Sequence, residues 1–232
     1  MTTLPWLKIV LNLEQRHSDV FRDLVTLAAC VCSSGQREDE YRRTAAKFTP
    51  EELSGLCEAF GDLLRLKLAD PFLDLFSEAY MGRLSQHAQR HLGEVYTPSP
   101  VARLMTKLVM HPPVPGETLK VAEPAAGSGT LVLAAAQALE ELGVSRLHLQ
   151  VVATDLNPFA VDMALVNLGL AGIPAVVRHG NSLTGQVFRE YSTPAWHFAC
   201  PYSGEPGTNR LQGSDVLGML GLTVPLPVKA TG

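Results

Sequence analysis

A glycine-rich segment in the middle of the chain has the residue types of a ligand-binding turn. Its residues are Glu123-Pro124-Ala125-Ala126-Gly127-Ser128-Gly129. Glycines let a backbone turn sharply and approach a ligand closely, and a helix that starts there offers unpaired N–H groups. The segment therefore predicts a binding turn, although many α/β proteins use such a turn for structure alone.

A second acidic position follows further along the chain, in Thr154-Asp155-Leu156-Asn157-Pro158. A carboxylate at the carboxyl end of a strand can accept both hydroxyls of a ribose, and ligands of open α/β sheets bind beside such strand ends. Acids after two successive strands suit a nucleoside whose other end is a cationic methionine better than they suit a pyrophosphate. We therefore expect Gly127 and Asp155 to line one shared pocket.

Strands and helices must alternate to bring these two positions together. We predict strands at 119–122, 147–154 and 175–178, and helices at 129–142 and 160–170. This alternation with short connections favours a parallel sheet with right-handed crossovers. The expected fold class is α/β.

The chain before residue 93 has apolar residues at helical spacing and predicts a helical domain over 1–92. Thr49-Pro50-Glu51-Glu52 is a typical helix start, and we predict another start at Asp70-Pro71. The apolar stripes of these helices are formed by Val20, Phe21, Leu24, Leu27, Leu53, Leu56, Phe60, Leu63, Leu64, Phe72, Leu75, Phe76 and Tyr80. Such stripes are typical of a core, so we assign them no chemistry.

The composition is that of an ordinary globular protein, and the chain lacks the net positive charge that is typical of a protein that binds DNA without a partner. Hydrophobic residues make up 46% and charged residues 18%, and 19 basic against 23 acidic residues give a formal charge of −4. Phosphate neutralisation needs a basic surface, so any DNA contact must come from a local patch or a partner. Arg37, Arg42 and Arg43 are interspersed with Glu38, Asp39 and Glu40. This pattern is more typical of a solvated helix face than of a phosphate-binding patch.

The cysteine spacing argues against a zinc site, and the hydropathy pattern argues against a membrane-spanning segment. Cys30, Cys32, Cys57 and Cys200 form no CxxC pair and have no histidine at ligand spacing, so we expect no zinc site and free thiols in a reducing compartment. No stretch approaches the roughly 18 apolar residues of a membrane span, and the amino terminus lacks a basic leader. We expect a cytoplasmic protein.

Three motifs in order resemble the N6-adenine DNA methylase family, which includes the modification subunits of type I restriction systems. EPAAGSG at 123–129 resembles the family's methionine-binding loop, and GEVYTP at 93–98, followed by a helix at 101–108, resembles its GExxTP segment. TDLNPFAVDMALVNLGLAG at 154–172 resembles the second strand and helix, and HGNSL at 179–183 stands where the family has a Gly-Asp pair. The resemblance implies a Rossmann-like methyltransferase fold over 93–203, with 204–232 as an irregular tail.

The cofactor that this resemblance implies is S-adenosyl-L-methionine. Carried over position by position, Glu94 and Thr97 would lie near its methionine end and Asp155 would hold its ribose. Asn181 stands where the family has an acid that contacts adenine, but a turn residue is an equal alternative, and Thr97-Pro98 also fits a plain helix cap. The implied cofactor-binding residues are Glu94, Tyr96, Thr97, Glu123, Pro124, Ala125, Gly127, Ser128, Gly129, Asp155, Leu156, Asn181 and Ser182.

The chain departs from the family at the catalytic motif. Family enzymes carry Asn or Asp, then Pro-Pro and an aromatic, where oxygens accept hydrogen bonds from the target amine and the aromatic stacks on the flipped base. The nearest match here is Ala199-Cys200-Pro201-Tyr202, with alanine at the acceptor position and Pro201 and Tyr202 as degenerate candidates. We expect methyl transfer to be crippled. The short stretch after Tyr202 also predicts an incomplete sheet without base-recognition elements.

Three functions are compatible with this pattern. The favoured one is an adenine-N6 DNA methyltransferase or its cofactor-binding subunit, which reaches DNA through a partner or specificity subunit. The second is a catalytically silent pseudo-methylase that acts as a cofactor-binding regulatory or interaction module. In the third, Cys200 and Tyr202 would serve a small-molecule or protein substrate. An oligomer is compatible with all three.

Overall fold

The amino-terminal part of the chain is helical, in line with its apolar periodicity. The structure is a computed structural model and describes residues 4–83, 96–109 and 118–199. The helices of the first range are α1 Pro5–Leu13, α2 Val20–Cys32, α3 Glu38–Ala45, α4 Pro50–Ala69 and α5 Ser77–Met81. The second range contains α6, Ser99–Val109, at the position expected from the sequence.

The start of α4 follows the predicted pattern. The N–H of Glu52 donates to Thr49 Oγ1 at 3.3 Å, and Glu52 Oε2 accepts from the N–H of Thr49 at 3.1 Å. Pro50 occupies the first turn, where its missing N–H leaves no bond unmade. This reciprocal capping box satisfies two N–H groups that a bare helix end would leave unpaired.

The predicted helix start at Asp70-Pro71 is wrong. Asp70 Oδ1 accepts from the N–H of Phe72 at 3.0 Å, which closes a turn, and the next helix begins only at Ser77. Asp74 lies before this later helix, and its Oδ1 accepts from the N–H groups of Phe76 and Ser77 at 3.0 Å and 3.2 Å. Asp70 and Asp74 can both accept hydrogen bonds from backbone N–H groups that follow them. The sequence alone therefore did not show that the helix starts after Asp74 rather than after Asp70.

The predicted apolar stripes are largely buried, with Leu64 as the exception. Leu64 is 38% exposed, whereas Leu56, Ala59 and Leu63 on the same helix are buried. These buried positions recur every three or four residues, which leaves Leu64 at the edge of the buried face.

The second half of the described chain is a βαβαβ unit that continues into a hairpin. Its elements are β1 Leu119–Glu123, α7 Thr130–Glu141, β2 Leu149–Asp155, α8 Pro158–Leu170, β3 Ala175–Asn181, β4 Gln186–Ser192 and α9 Pro194–Ala199. The sheet order is β1-β2-β3-β4, with β1, β2 and β3 parallel. The three predicted strands and two predicted helices are therefore present, each within a few residues of its predicted limits.

The sheet is mixed rather than parallel, which corrects the sequence-based expectation. β4 was not predicted, and it pairs with β3 in antiparallel orientation. The chain reverses because Asn181 Oδ1 accepts from the N–H groups of Leu183 and Thr184, and because Gly185 adopts a φ of +72°. Most of β4 is exposed, so it lacks the apolar alternation that marks a half-buried strand.

The helical part packs directly on the sheet part through α2 and α8. The rings of Phe21 and Phe159 lie 5.9 Å apart, and Thr26 Oγ1 donates to Asp162 Oδ2 at 2.9 Å. A Cβ on Gly169 would stand 3.0 Å from the Cβ of Cys32, so glycine allows the two helices to approach closely. One continuous set of buried residues runs through both parts.

The described residues belong to one compact unit, Met1–Cys200. The predicted boundaries near residues 92 and 203 both lie outside the described ranges, and the division into domains stays a prediction. No helix of the described ranges has the length and hydropathy to cross a membrane.

Candidate functional site

The glycine-rich turn joins β1 to α7 in a backbone shape that requires its glycines. Gly127 and Gly129 have φ values of +54° and +88°, which L side chains rarely adopt. A Cβ on Gly127 would stand 3.1 Å from the ring of Tyr96, and one on Gly129 would stand 3.3 Å from Leu168. The turn is therefore closely packed on its protein side.

Asp155 lies at the end of β2 and bonds directly to this turn. Its Oδ2 accepts from the N–H of Gly127 at 2.8 Å, and its Oδ1 accepts from the N–H of Asn157 at 2.8 Å. The N–H of Ala126 donates to the carbonyl of Thr154 at 2.9 Å and ties the turn to the same strand end. The structure thus brings Gly127 and Asp155 into contact. The ligand pocket that we expect them to share stays a prediction.

Glu123 adds a second carboxylate at the neighbouring strand end. Its Oε1 accepts from the N–H of Ala125 at 3.2 Å. Burial is the main cause that raises the pKa of Glu123, and the charge of Asp155 acts in the same direction. A positively charged ligand beside Glu123 would favour the ionised form of this carboxyl group.

The end of β3 closes the third side of the site. Ser182 Oγ donates to the carbonyl of Pro124 at 2.5 Å, so it holds the start of the turn. The amide oxygen of Asn181 accepts from the N–H groups of Leu183 and Thr184, as expected for the turn residue that the sequence offered as one of two alternatives. Leu156 is 61% exposed beside Asp155.

Tyr96 and Thr97 lie at the start of the second described range. The ring of Tyr96 covers Gly127 and stands edge-on to that of Tyr80 at 5.7 Å. Thr97 is half-buried and lies two residues before α6 begins at Ser99, so neither its predicted contact with the cofactor nor its alternative role as a helix cap is tested. Glu94, Pro201 and Tyr202 lie outside the described residues.

Ser128 points away from the open side of the turn. Its side chain is buried, and Ser128 Oγ donates to Asp74 Oδ2 at 2.5 Å. Asn167 of α8 contacts both residues. Asp74 and Asn167 were not predicted, since a bond across more than fifty residues leaves no local pattern in the sequence.

These features define a class of protein. A parallel βαβαβ unit with a glycine turn after β1 and a carboxylate after β2 is a Rossmann-like fold that binds a nucleoside at the carboxyl ends of its strands. The profile of the N-6 DNA Methylase family matches residues 72–204, more than half of the chain. The chain belongs to the N-6 DNA Methylase family, and its fold is the Rossmann-like α/β fold of an S-adenosylmethionine-dependent methyltransferase.

A curated relative is the Type II methyltransferase M.XamI of Xanthomonas campestris pv. amaranthicola. It is 34% identical over 87 residues, which are 37% of this chain and 14% of that protein. The chain therefore corresponds to only a small part of this relative's length.

Two solved structures are also similar. One, from Listeria monocytogenes, is assigned to the class I S-adenosylmethionine-dependent methyltransferases; it is 18% identical, with a TM-score of 0.41 over 73% of this chain and 48% of that one. The other is the methyltransferase subunit of a type I restriction-modification system from Streptococcus thermophilus, 17% identical, with a TM-score of 0.38 over 76% and 43% of the two chains.

The cofactor of this family is S-adenosyl-L-methionine, and the site fits it. The desolvated Glu123 and the carboxylate of Asp155 suit a cationic nucleoside. In the described ranges, no group of three or more His, Cys, Asp and Glu side chains is arranged to hold a metal ion. The roles of individual residues toward the cofactor stay predictions.

Proposed function

We propose that this chain is the cofactor-binding part of an adenine-N6 DNA methyltransferase and that a partner or specificity subunit supplies DNA recognition. The observation that carries the proposal is the contact between the Gly127 amide and Asp155 in a chain of the N-6 DNA Methylase family. The formal charge of −4 supports a partner, because a DNA-binding surface is normally basic.

In this proposal, different residues of the site bind different parts of the cofactor. Asp155 would accept from the ribose hydroxyls, and Glu123 would stabilise the positive charge at the methionine end. The missing Cβ atom at Gly127 lets the ring of Tyr96 pack against the turn. When bound, S-adenosylmethionine supplies an activated methyl group.

A second candidate is a pseudo-methylase that binds the cofactor without transferring its methyl group. Ala199 favours this alternative, because the family has an Asn or Asp where the chain has this alanine. Without that acceptor the target amine loses a positioning hydrogen bond, a contact typically worth about 3 kcal/mol in a transition state. Such a protein would act as a cofactor-dependent regulatory or interaction module.

Two measurements test these candidates in sequence. Calorimetry of the full chain with S-adenosylmethionine is expected to give micromolar affinity, and the absence of binding at millimolar ligand would contradict both. Mass spectrometry of DNA from cells that express the chain with its partner genes then measures N6-methyladenine.

The Asp155→Ala variant is the control for the second measurement. Methylation above the level of this variant supports the methyltransferase. Cofactor binding by the wild type with no methylation above that level supports the pseudo-methylase.

A further inference from the structure

The glycine turn is held on its protein side by a residue from the helical part of the chain. Asp74 lies in the segment between α4 and α5, and its Oδ2 accepts from Ser128 Oγ and from Thr130 Oγ1. Ser128 lies between the two glycines with positive φ, and Thr130 is the first residue of α7. One carboxylate oxygen therefore binds both the turn and the start of the helix that follows it.

Asn167 on α8 completes this contact. Its Nδ2 donates to Asp74 Oδ1 at 3.0 Å and to the carbonyl of Ser128 at 2.9 Å, while its Oδ1 accepts from the N–H of Leu75 at 3.1 Å. The side chain is fully buried. A buried amide with its donors and acceptor engaged in this way holds its neighbours in one geometry, because each lost bond would leave a desolvated polar group.

The segment that carries Asp74 is itself fixed from α4. Lys67 Nζ donates to the carbonyls of Pro71 and Leu73 at 3.1 Å and 2.6 Å, and the Lys67 side chain is buried. Asp74 Oδ1 also accepts from the N–H groups of Phe76 and Ser77. The carboxylate thus has little freedom to move away from the turn.

We propose that Asp74 and Asn167 form a clamp that sets the glycine turn in its cofactor-binding conformation before the cofactor arrives. Asp155 holds the Gly127 amide from the open side of the turn, and the clamp holds Ser128 from the protein side. Asp74 is a positioning residue for S-adenosylmethionine, so this inference rests on the proposed cofactor binding.

The physical reason for such a clamp is the flexibility of glycine. A segment with two glycines loses much backbone entropy when it is ordered, and a ligand that had to order it would bind more weakly. Bonds within the protein that order the turn in advance remove this loss from the binding step. The helical part of the chain thereby contributes to affinity without touching the ligand.

The Asp74→Asn variant of the full chain tests the clamp. The amide keeps the size of the side chain but loses the charge, and with it the strong bonds from two hydroxyls to one carboxylate oxygen. We expect the Kd for S-adenosylmethionine, measured by calorimetry well below the unfolding midpoint, to rise about tenfold.

The matched control is Asp70→Asn, in the same segment. Asp70 is exposed, and its side chain accepts a local hydrogen bond from the N–H of Phe72. We expect its Kd to stay within about twofold of the wild type. Wild-type affinity in Asp74→Asn, or a loss that only follows its unfolded fraction in urea titrations, would overturn the proposal.

Hydrogen exchange of the turn separates this inference from the proposed function. Without any ligand, the amides of residues 127–130 are expected to exchange faster in Asp74→Asn than in the wild type and in Asp70→Asn. If the wild type binds no S-adenosylmethionine, the proposed function fails while this comparison still reports on the clamp. Equal exchange in all three proteins would overturn the clamp itself.

A second variant guards against a failure of Asp74→Asn to fold. The double substitution Ser128→Ala with Thr130→Val removes the two hydroxyl donors but keeps the bonds of Asp74 to the N–H groups of Phe76 and Ser77. We expect it to weaken S-adenosylmethionine binding and to speed exchange at residues 127–130 as Asp74→Asn does. Wild-type behaviour in both measurements would count against the clamp.

Discussion

The two sides of the glycine turn are built in different ways. On the open side, Asp155 and Glu123 lie at the carboxyl ends of the adjacent strands β2 and β1, and each accepts a hydrogen bond from a backbone N–H of the turn. On the protein side, Asp74 comes from the helical part and bonds to Ser128 across 54 positions of sequence. The comparison teaches that the predicted binding face belongs to the sheet, whereas the proposed clamp behind it comes from the helical part of the chain and from α8.

The largest effect is expected from breaking the open side with Asp155→Ala. The variant loses the predicted ribose acceptor and leaves the Gly127 amide without its 2.8 Å partner. We expect affinity for S-adenosylmethionine to fall about a hundredfold or more, since several bonds of about 1 to 2 kcal/mol each are lost. Calorimetry measures this loss, and Asp155→Asn, which keeps one acceptor oxygen, should lose less.

The protein side is probed by Lys67→Met, through the pH dependence of stability. Burial lowers the pKa of Lys67 to about 7, from 10.5 for an exposed lysine. Between these values the unfolded chain binds more protons than the folded one, so the folded state gains stability as the pH rises from about 7 towards 10.

The expected slope is up to about 1 kcal/mol per pH unit for the wild type relative to Lys67→Met. Urea titrations at pH 7, 8 and 9 measure the difference, and titration of other groups cancels between the two proteins. A difference that does not change with pH would show that Lys67 is charged in the folded state.

The turn itself is tested by Gly127→Ala against Gly143→Ala. Both glycines have positive φ, but the Cβ at Gly127 meets Tyr96 at 3.1 Å whereas that at Gly143 meets nothing within 4 Å. We expect each variant to lose about 1 kcal/mol of unfolding free energy from backbone strain, with roughly 1 kcal/mol more at Gly127. Urea denaturation compares them, and equal losses would mean that Tyr96 moves aside freely.

The smallest effect is expected for the pH dependence of cofactor binding. Burial raises the pKa of Glu123 above 4.5 in the free protein, and a cationic ligand binds its ionised form better. Affinity for S-adenosylmethionine should therefore fall a few-fold as the pH drops through this raised pKa. Glu123→Gln should flatten the profile, and an unchanged slope in calorimetry between pH 5 and 8 would contradict this role.

Sequence patterns were sufficient for the parts of the fold with a strong period or a strong cap. The capping box at Thr49 joins residues three positions apart, and the strands at 119–122 and 175–178 are short apolar runs. The structure contains all of them. β4 was not predicted because it is mostly exposed and therefore lacks the apolar alternation of a half-buried strand. The helix start predicted at Asp70 was wrong because Asp70 accepts from the N–H of Phe72 in a turn instead.

The order of residues along this chain is enough to place a glycine turn and two carboxylates at the ends of adjacent parallel strands, because a βαβ unit brings consecutive strand ends to one edge of the sheet. Which distant side chains bond to the protein side of that turn was decided by the tertiary structure alone. The bonds from Asp74 and Asn167 depend on how α8 and the segment after α4 pack against the turn, and packing between distant segments leaves no period or spacing in the sequence.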